Sequence, residues 1–143
     1  MREIRSPKNT IEWENYYDLR YRVLRLPWNQ PLSSTKTPED ETAEHFALYN
    51  HNELRAIARL DILDNHKAQI RFVATEPNYQ GQGYGKELML AIEEYCQANN
   101  INEIILEARE NAVNFYLSLG YEQLEEGKLL FEEIKHWWMR KGW

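Results

Sequence analysis

The stretch that decides the fold of this chain is Gln80-Gly81-Gln82-Gly83-Tyr84-Gly85-Lys86. It follows an apolar run, Ile70 to Thr75, and opens a long amphipathic segment. This order of strand, glycine-rich turn and helix start suits an anion, because glycines let the backbone approach a ligand closely. The first amides of a helix also carry partial positive charge. We therefore expect a phosphate or pyrophosphate group to bind here.

Two common phosphate-binding loops fit this stretch poorly. A nucleoside-triphosphate loop requires Ser or Thr after its Gly-Lys pair, whereas Gly85-Lys86 is followed by Glu87. A dinucleotide-binding loop requires Gly-x-Gly-x-x-Gly, whereas Gly81, Gly83 and Gly85 occupy every second position. The spacing therefore disfavours ATP and NAD as ligands.

The spacing Gln80-x-x-Gly83-x-Gly85 resembles the acyl-coenzyme A loop of the GNAT superfamily of N-acyltransferases. The resemblance runs from about Ile70 to Tyr121, with a strand and Pro77 before the loop and a helix and a strand after it. In the last part of this region, the segment Asn111-Ala112-Val113-Asn114-Phe115-Tyr116, which ends at Leu119-Gly120-Tyr121, is similar to the corresponding segment of the family. The later segment Phe131-x-x-Ile134-Lys135-His136-x-x-Met139 resembles the tail of ElaA-type members.

The predicted elements alternate between helices and strands and indicate a mixed α/β fold. The GNAT resemblance implies a central, mostly antiparallel sheet, flanked by helices and splayed between the strands before and after the loop helix. Residues 27–41 contain three prolines and no periodicity, so we expect a long surface loop there. The expected strands are 2–5, 45–49, 54–63, 67–75, 104–106, 121–125 and 134–140, and the expected helices are 11–26, 84–97 and 110–119.

Length and composition indicate one soluble domain that covers residues 1–143. The net charge of −6 argues against a nucleic acid partner and would suit a cationic amine substrate. No apolar run approaches the roughly 20 residues of a membrane span, so no membrane partner is expected. One cysteine, Cys96, is typical of a reducing compartment, and the four histidines lack metal-ligand spacing. We expect a cytoplasmic protein without a metal site.

The resemblance implies acetyl-coenzyme A as co-substrate and assigns residues to it. Backbone groups of Val73, Ala74 and Thr75 would pair with the pantetheine arm. Asn111 would bond to the same arm, although it could instead cap a helix. Tyr116 would be the general acid for the departing thiolate, since a phenol with an ordinary pKa of about 10 suits that donation. The pyrophosphate would contact Gln80, Gly81, Gln82, Gly83, Tyr84, Gly85 and Lys86.

The general base is less clearly marked. Some family members carry a glutamate on the strand before the loop, but this region offers Gln69 and Arg71. His136 is one candidate, because a histidine with an ordinary pKa of about 6.5 accepts a proton near neutral pH. The other candidates are Asp61, Glu44, Glu107 and a chain of water molecules.

For the acceptor we expect a binding surface that includes Trp28, Asp61 and Glu107. Trp28 could form an aromatic wall, and the two carboxylates could bind an amine, although Asp61 could equally pair with Arg59 or Arg71. The acceptor could be a small amine or the amine of a protein or peptide. The pair of strands expected near the last residues is compatible with a homodimer.

Together these features predict an N-acetyltransferase in which a primary amine attacks acetyl-coenzyme A directly in a ternary complex. Cys96 is expected in the middle of a helix and is poorly placed for a covalent intermediate. The alternative is a GNAT-like module that binds or senses acyl-coenzyme A without catalysis, because the strand glutamate is missing.

Overall fold

The computed structural model of the protein describes all residues from 1 to 143 and contains one seven-stranded sheet. The strands are β1 (Arg2–Arg5), β2 (Glu44–Asn50), β3 (Glu53–Ile62), β4 (Lys67–Thr75), β5 (Glu103–Arg109), β6 (Glu122–Leu130) and β7 (Ile134–Gly142). The helices are α1 (Thr10–Leu24), α2 (Tyr84–Ala98) and α3 (Val113–Ser118). The strand order is β1-β2-β3-β4-β5-β7-β6, and only the β4–β5 pair is parallel. This mixed, mostly antiparallel sheet confirms the predicted fold class.

The helices α1 and α2 pack on opposite faces of the sheet. Successive residues of a strand point to opposite faces, so β2 and β3 contribute side chains to both. Ala47 and Ile57 pack with Leu19 of α1, whereas Leu48 packs in the larger core with Leu88 of α2. We refer to these two sides of the sheet as the α1 face and the α2 face.

The sheet splits between β4 and β5. Their parallel pairing begins at Lys67–Glu103 and ends at Gln69–Ile105. Both strands then continue, to Thr75 and Arg109, with no further pairs between them. The split confirms the predicted splay and leaves one edge of β4 open.

A β-bulge in β4 lies just beyond the start of this split. Between the pairs Ile57–Ala74 and Arg59–Arg71, β3 has one residue and β4 has two. One of the two, Phe72, has a φ of 56°, in the left-handed region that non-glycine residues rarely occupy. Bulges add local twist and redirect side chains, and they are frequent beside functional sites.

The predicted boundaries differ from the structure around residues 24–41. Helix α1 ends at Leu24 rather than at residue 26, because Arg25, with a φ of −129°, leaves the helical conformation and Pro27 has no N–H with which to continue the helical hydrogen bonds. The segment expected to be a plain surface loop contains three short 3₁₀-helices and buries Thr35 and Asp40. These buried polar residues tie the segment to the body of the protein.

Two further boundaries were wrong near the carboxyl end. Strand β6 extends to Leu130 rather than to residue 125, and its polar sequence lacks the apolar alternation that marks a strand. The predicted helix at 110–119 is divided into a 3₁₀ turn, Glu110–Ala112, and the shorter α3. None of the helices combines the length and the apolar character that spanning a bilayer requires.

Candidate active site

The glycine-rich loop leads into α2 with a run of free backbone amides. The N–H groups of residues 81–86 donate no hydrogen bond within the chain, and the first helical bond runs from the Glu87 N–H to the Gly83 carbonyl at 3.0 Å. No side chain caps this helix start, because the N-cap residue is Gly83. The start of α2 therefore offers unsatisfied donors and the positive end of the helix dipole, as phosphate sites do.

Two of the three loop glycines are required by the backbone conformation. Gly81 has a φ of 79° and Gly83 a φ of 86°, which non-glycine residues adopt only with strain. Gly85 serves a different purpose, because a Cβ there would lie 3.4 Å from the Phe115 ring and 3.5 Å from Thr75 Oγ1. Gly81 and Gly83 shape the loop, and Gly85 lets α2 approach α3 and the end of β4.

A cavity of about 250 Å³ lies at the split between β4 and β5. Val73 and Ala108 line it from the two strands, Tyr116 from α3 and His136 from β7. Beyond Gln69, the backbone edge of β4 that faces β5 has no strand partner. The cavity therefore combines an open strand edge with the side chains of a tyrosine and a histidine.

Tyr116 is buried, and its ring packs edge-on against Phe115 and Tyr121, with ring centroids 5.0 and 5.9 Å away. Burial raises the pKa of its phenol above the usual range, and the nearby charge of Arg109 only partly offsets this. The phenol therefore keeps its proton at neutral pH. The side chain is held in place and can donate to an acceptor in the cavity.

His136 is buried and presents a neutral imidazole to the cavity. Its Nδ1 lies 3.0 Å from the Ile134 carbonyl, which can only accept, so Nδ1 carries the proton and Nε2 keeps a free lone pair. Burial lowers the pKa of His136 below its ordinary value, and the charges of Lys128 and Arg109 act in the same direction. In this form the ring can accept a proton at neutral pH.

Comparison with known proteins assigns the chain to a family. Residues 10–121 match the family model described as the acetyltransferase (GNAT) family. The chain belongs to the GNAT family. The match covers the loop, the split and Tyr116, but it ends before β7 and His136.

Individual relatives agree with this assignment. The uncharacterized N-acetyltransferase ycf52 of Gracilaria tenuistipitata var. liui is 35% identical over 112 residues, which are 75% of this chain and 62% of that protein. The crystal structure of Escherichia coli ElaA has a TM-score of 0.81 at 21% identity, over 99% of this chain and 98% of the other. An aminoglycoside 6′-N-acetyltransferase complexed with coenzyme A has a TM-score of 0.83 at 14% identity, over 99% and 96%. At these identities the two structures show a shared GNAT fold.

The cavity of this GNAT protein is basic, although the chain as a whole is acidic. Glu107 is the single carboxylate that lines it, and it already accepts a hydrogen bond from the Lys128 backbone N–H at 3.1 Å. Arg25, Arg71 and Arg109 line the same cavity. The net charge of −6 therefore does not describe the charge at this cavity, because nearby side chains determine the charge that a bound ligand meets.

Two predicted acceptor residues lie outside the cavity lining. Asp61 accepts hydrogen bonds from Nε and a terminal nitrogen of Arg59, both at 2.8 Å. Of the two predicted roles of Asp61, the structure therefore contains the ion pair with an arginine. Trp28 lies in a 3₁₀-helix, with the Arg109 guanidinium over its ring at 4.4 Å from the centroid. Trp28 therefore contacts a cavity residue. Glu107, the third predicted acceptor residue, lines the cavity itself, and so does His136, the candidate for the general base.

The coenzyme-side predictions are compatible with the geometry. Asn111 is exposed and does not cap α3, whose N-cap residue is Ala112. Lys86 is exposed in the first turn of α2. Both side chains remain predicted coenzyme contacts. No group of three or more His, Cys, Asp or Glu side chains lies close enough together to hold a metal ion.

A buried charge cluster on the α1 face was not predicted from the sequence. The Asp40 carboxylate accepts hydrogen bonds from Arg20 and Arg59, each at 3.0 Å, and both guanidinium groups are fully buried. His45 Nε2 donates to the Asp40 carbonyl at 2.7 Å, and its Nδ1 accepts from the Tyr16 hydroxyl at 2.8 Å. The cluster anchors the segment before β2 to α1 and β3. The one feature of the sequence that points to this cluster is Arg20, which directly follows Leu19 on the buried side of α1.

Proposed function

We propose that this GNAT protein transfers an acetyl group from acetyl-coenzyme A to the primary amine of an acceptor. The observation that supports this best is the run of unsatisfied amides at residues 81–86 beside the split between β4 and β5. Coenzyme A carries a pyrophosphate, which suits the amides, and an extended arm with peptide-like groups, which suits an open strand edge. A protein with the same fold, the aminoglycoside 6′-N-acetyltransferase, has been crystallised in complex with coenzyme A, which supports coenzyme A as the ligand.

The residues proposed to hold the coenzyme come from three segments. The amides of Gly81 to Lys86 would bind the pyrophosphate, and the open edge of residues 73–75 would pair with the pantetheine arm. Asn111 would bond to the same arm. These roles fall mainly on backbone groups, so they do not require the strand glutamate that is absent at Gln69 and Arg71.

The chemistry proposed for the side chains requires two proton transfers. Acetyl-coenzyme A would supply an acetyl group activated as a thioester. His136 Nε2 would accept the proton that the amine loses as its nitrogen attacks the carbonyl carbon. Tyr116 would donate its proton to the sulfur as the carbon–sulfur bond breaks, and a backbone N–H of β4 would bind the carbonyl oxygen. The products are an amide and a free thiol, and solvent restores both side chains.

Direct attack by the amine fits the state of the single cysteine. Cys96 is fully buried in the core under α2 and does not line the cavity. Burial raises the pKa of its thiol to about 11, so little of the nucleophilic thiolate is present at neutral pH. A covalent acetyl-cysteine intermediate is therefore not part of the proposal.

One observation favours the alternative of a non-catalytic acyl-coenzyme A module. Gln69 and Arg71, which occupy the region where some family members carry a glutamate, both line the cavity and supply no carboxylate base. Such a module would bind coenzyme A through the same amides. It would release no thiol in the presence of amines.

The first experiment is a thermal shift with acetyl-coenzyme A, coenzyme A, ATP and NAD in parallel. A ligand at ~100 times its Kd stabilises the folded state by about 2.7 kcal/mol, so binding would raise the Tm clearly. We expect the two coenzyme A forms alone to stabilise the protein, and a flat response to both would remove the enzyme proposal. Thiol release with an amine panel would then separate transfer from binding alone. The cytoplasmic location and the homodimer stay predictions.

A further inference from the structure

The arginines of the cavity are the ones that lack a counter-charge. The chain contains ten arginines. Seven of them form ion pairs with Asp or Glu: Arg2, Arg5, Arg20, Arg22, Arg55, Arg59 and Arg140. The remaining three, Arg25, Arg71 and Arg109, have no carboxylate within ion-pair distance, and all three line the cavity at the split. The unpaired positive charge of the arginines is therefore concentrated at one place.

These three side chains are half-buried and make few hydrogen bonds. Arg25 donates only to the carbonyls of Ser34 and Leu24, at 3.1 and 3.0 Å, and Arg109 donates to the Leu24 carbonyl at 3.3 Å. Burial and the charge of Arg25 lower the pKa of Arg109 to about 10, and the group still carries its charge at neutral pH. Like charges gathered in a partly buried site repel one another, so an anion that entered would relieve this cost.

Aromatic rings hold the guanidinium groups in place without neutralising them. The bulge in β4 places the Phe72 ring, and the guanidinium carbons of Arg25 and Arg71 lie 5.3 and 5.0 Å from its centroid. The guanidinium carbon of Arg109 lies 4.4 Å from the centroid of the Trp28 ring. A guanidinium over a ring leaves the N–H groups at its edge available, and they match a carboxylate or phosphate in shape.

The arginine group lies on the opposite side of the sheet from the coenzyme loop. Arg25 follows α1, which packs on the α1 face. Arg109 alternates along β5 with Ala108, which belongs to the core under α2, so Arg109 points to the α1 face. The free amides of residues 81–86, in contrast, begin α2. The arginine group therefore lies on the face that Arg109 shares with His136, the proposed base, and apart from the amides proposed to bind the pyrophosphate.

We propose that the acceptor is a small amine that also carries a negatively charged group, a carboxylate or a phosphate, bound by Arg25, Arg71 and Arg109. This rests on the proposed acetyl transfer and specifies its substrate class. A cavity of about 250 Å³ admits a small molecule. Its single carboxylate, Glu107, leaves a purely cationic acceptor with little to pair with.

The first arm of the test measures turnover with matched pairs of amines. Phosphoethanolamine is compared with ethanolamine, and β-alanine with its carboxamide, by release of the coenzyme A thiol. We expect the anionic member of at least one pair to have a kcat/KM at least tenfold higher, and the pair that responds identifies phosphate or carboxylate. Equal or reversed preference with measurable transfer would overturn the inference and leave the acetyl transfer intact.

The second arm needs no turnover, so it remains informative if the proposed activity fails. Inorganic phosphate and succinate are titrated by calorimetry into protein saturated with coenzyme A, which occupies the coenzyme's own phosphate site. We expect at least one anion to bind, and Arg25→Gln and Arg71→Gln each to weaken it at least fivefold with coenzyme affinity unchanged. Arg140→Gln is the matched control, because Arg140 pairs with Glu103 and does not line the cavity. Anion binding that is absent, or equal in all variants, would refute the inference.

Discussion

Arg109 and His136 lie directly opposite each other across β5 and β7, and both side chains line the cavity at the split. Residues opposite each other in an antiparallel pair point to the same face, so the two side chains are neighbours on that face. The charge of Arg109 adds to the effect of burial and lowers the pKa of His136. The pair therefore joins a cation to a neutral imidazole whose Nε2 is free to accept a proton.

If His136 is the general base, the pH profile of acetyl transfer should reflect its lowered pKa. Rates fall on the acid side when the base becomes protonated, so the acid limb of kcat/KM should have an apparent pKa below about 6.5. In an Arg109→Gln variant the limb should move to higher pH, because a neighbouring positive charge is lost. A limb that is unchanged in His136→Gln would assign the base to another group.

Protein stability should also depend on pH through two buried histidines. Burial lowers the pKa of both His45 and His136 in the folded protein. Between the lowered folded pKa and the unfolded value of about 6.5, the unfolded chain binds more protons, so the free energy of unfolding rises with pH. We expect the urea midpoint to fall as the pH is lowered from 7 to 5. A midpoint that rises over this range would contradict the folded-state assignment.

Replacing Tyr116 with phenylalanine should affect chemistry more than coenzyme binding. The substitution removes a buried hydroxyl that is proposed to protonate the thiolate, and such general-acid contributions are about 100-fold or more. We expect kcat to fall by about that factor while the coenzyme A Kd, measured by calorimetry, changes less than about threefold. Tyr95→Phe is the control, because Tyr95 of α2 packs against Phe46 of β2 and does not line the cavity. Unchanged turnover in Tyr116→Phe would remove the general-acid role.

Alanine at the loop glycines should separate backbone strain from steric contact. Gly83→Ala places a side chain at a φ of 86° with no neighbour within 4 Å. We therefore expect backbone strain alone to lower the free energy of unfolding, by about 1–2 kcal/mol. It should also weaken coenzyme A binding, because the Gly83 amide belongs to the proposed phosphate site. Gly85→Ala has ordinary helical φ and a contact of 3.4 Å, so we expect a change within about 1 kcal/mol, partly offset by the helix propensity of alanine. Urea unfolding of the two variants is the measurement, and equal losses would contradict the distinction.

Neutralising Asp40 should destabilise the protein strongly. Burial opposes its ionisation, but hydrogen bonds from Arg20 and the Thr37 amide outweigh it and hold the pKa of Asp40 below its usual range. Because the folded pKa is lowered, this stabilisation is present above the unfolded pKa and is lost as the pH falls through the folded value. Removing one partner of a buried ion pair costs about 3–5 kcal/mol, which we expect for Asp40→Asn in urea unfolding.

The exposed pair Asp18–Arg22 on α1 provides the control for this loss. Surface pairs contribute about 0–1 kcal/mol, so Asp18→Asn should change stability little. If the two variants lose similar stability, the buried cluster does not anchor the segment before β2. In that case, its conformation depends on other contacts.

Local features were predicted well where a short pattern carries the physics. Strand β4 has the predicted ends, Lys67 and Thr75, and α2 begins at the predicted Tyr84. Alternating apolar residues and a glycine turn act over a few residues, so they can be recognised in one sequence. Strand β6 was predicted too short because pairing with β7, and not its own composition, keeps residues 126–130 in the sheet.

The sequence by itself determined the fold class and the glycine-rich loop before α2, because periodicity, glycine spacing and a helix start are properties of neighbouring residues. Only the tertiary structure decided the charge of the cavity at the split. Arg25, Arg71 and Arg109 come from the end of α1, from β4 and from β5, and they share one cavity without a carboxylate partner. Coulomb energy depends on distance in space and on burial, so the net charge of −6 does not reveal this basic site. For the same reason the Arg20–Asp40–Arg59 cluster could not be predicted from the sequence, since its members meet only when the chain is folded.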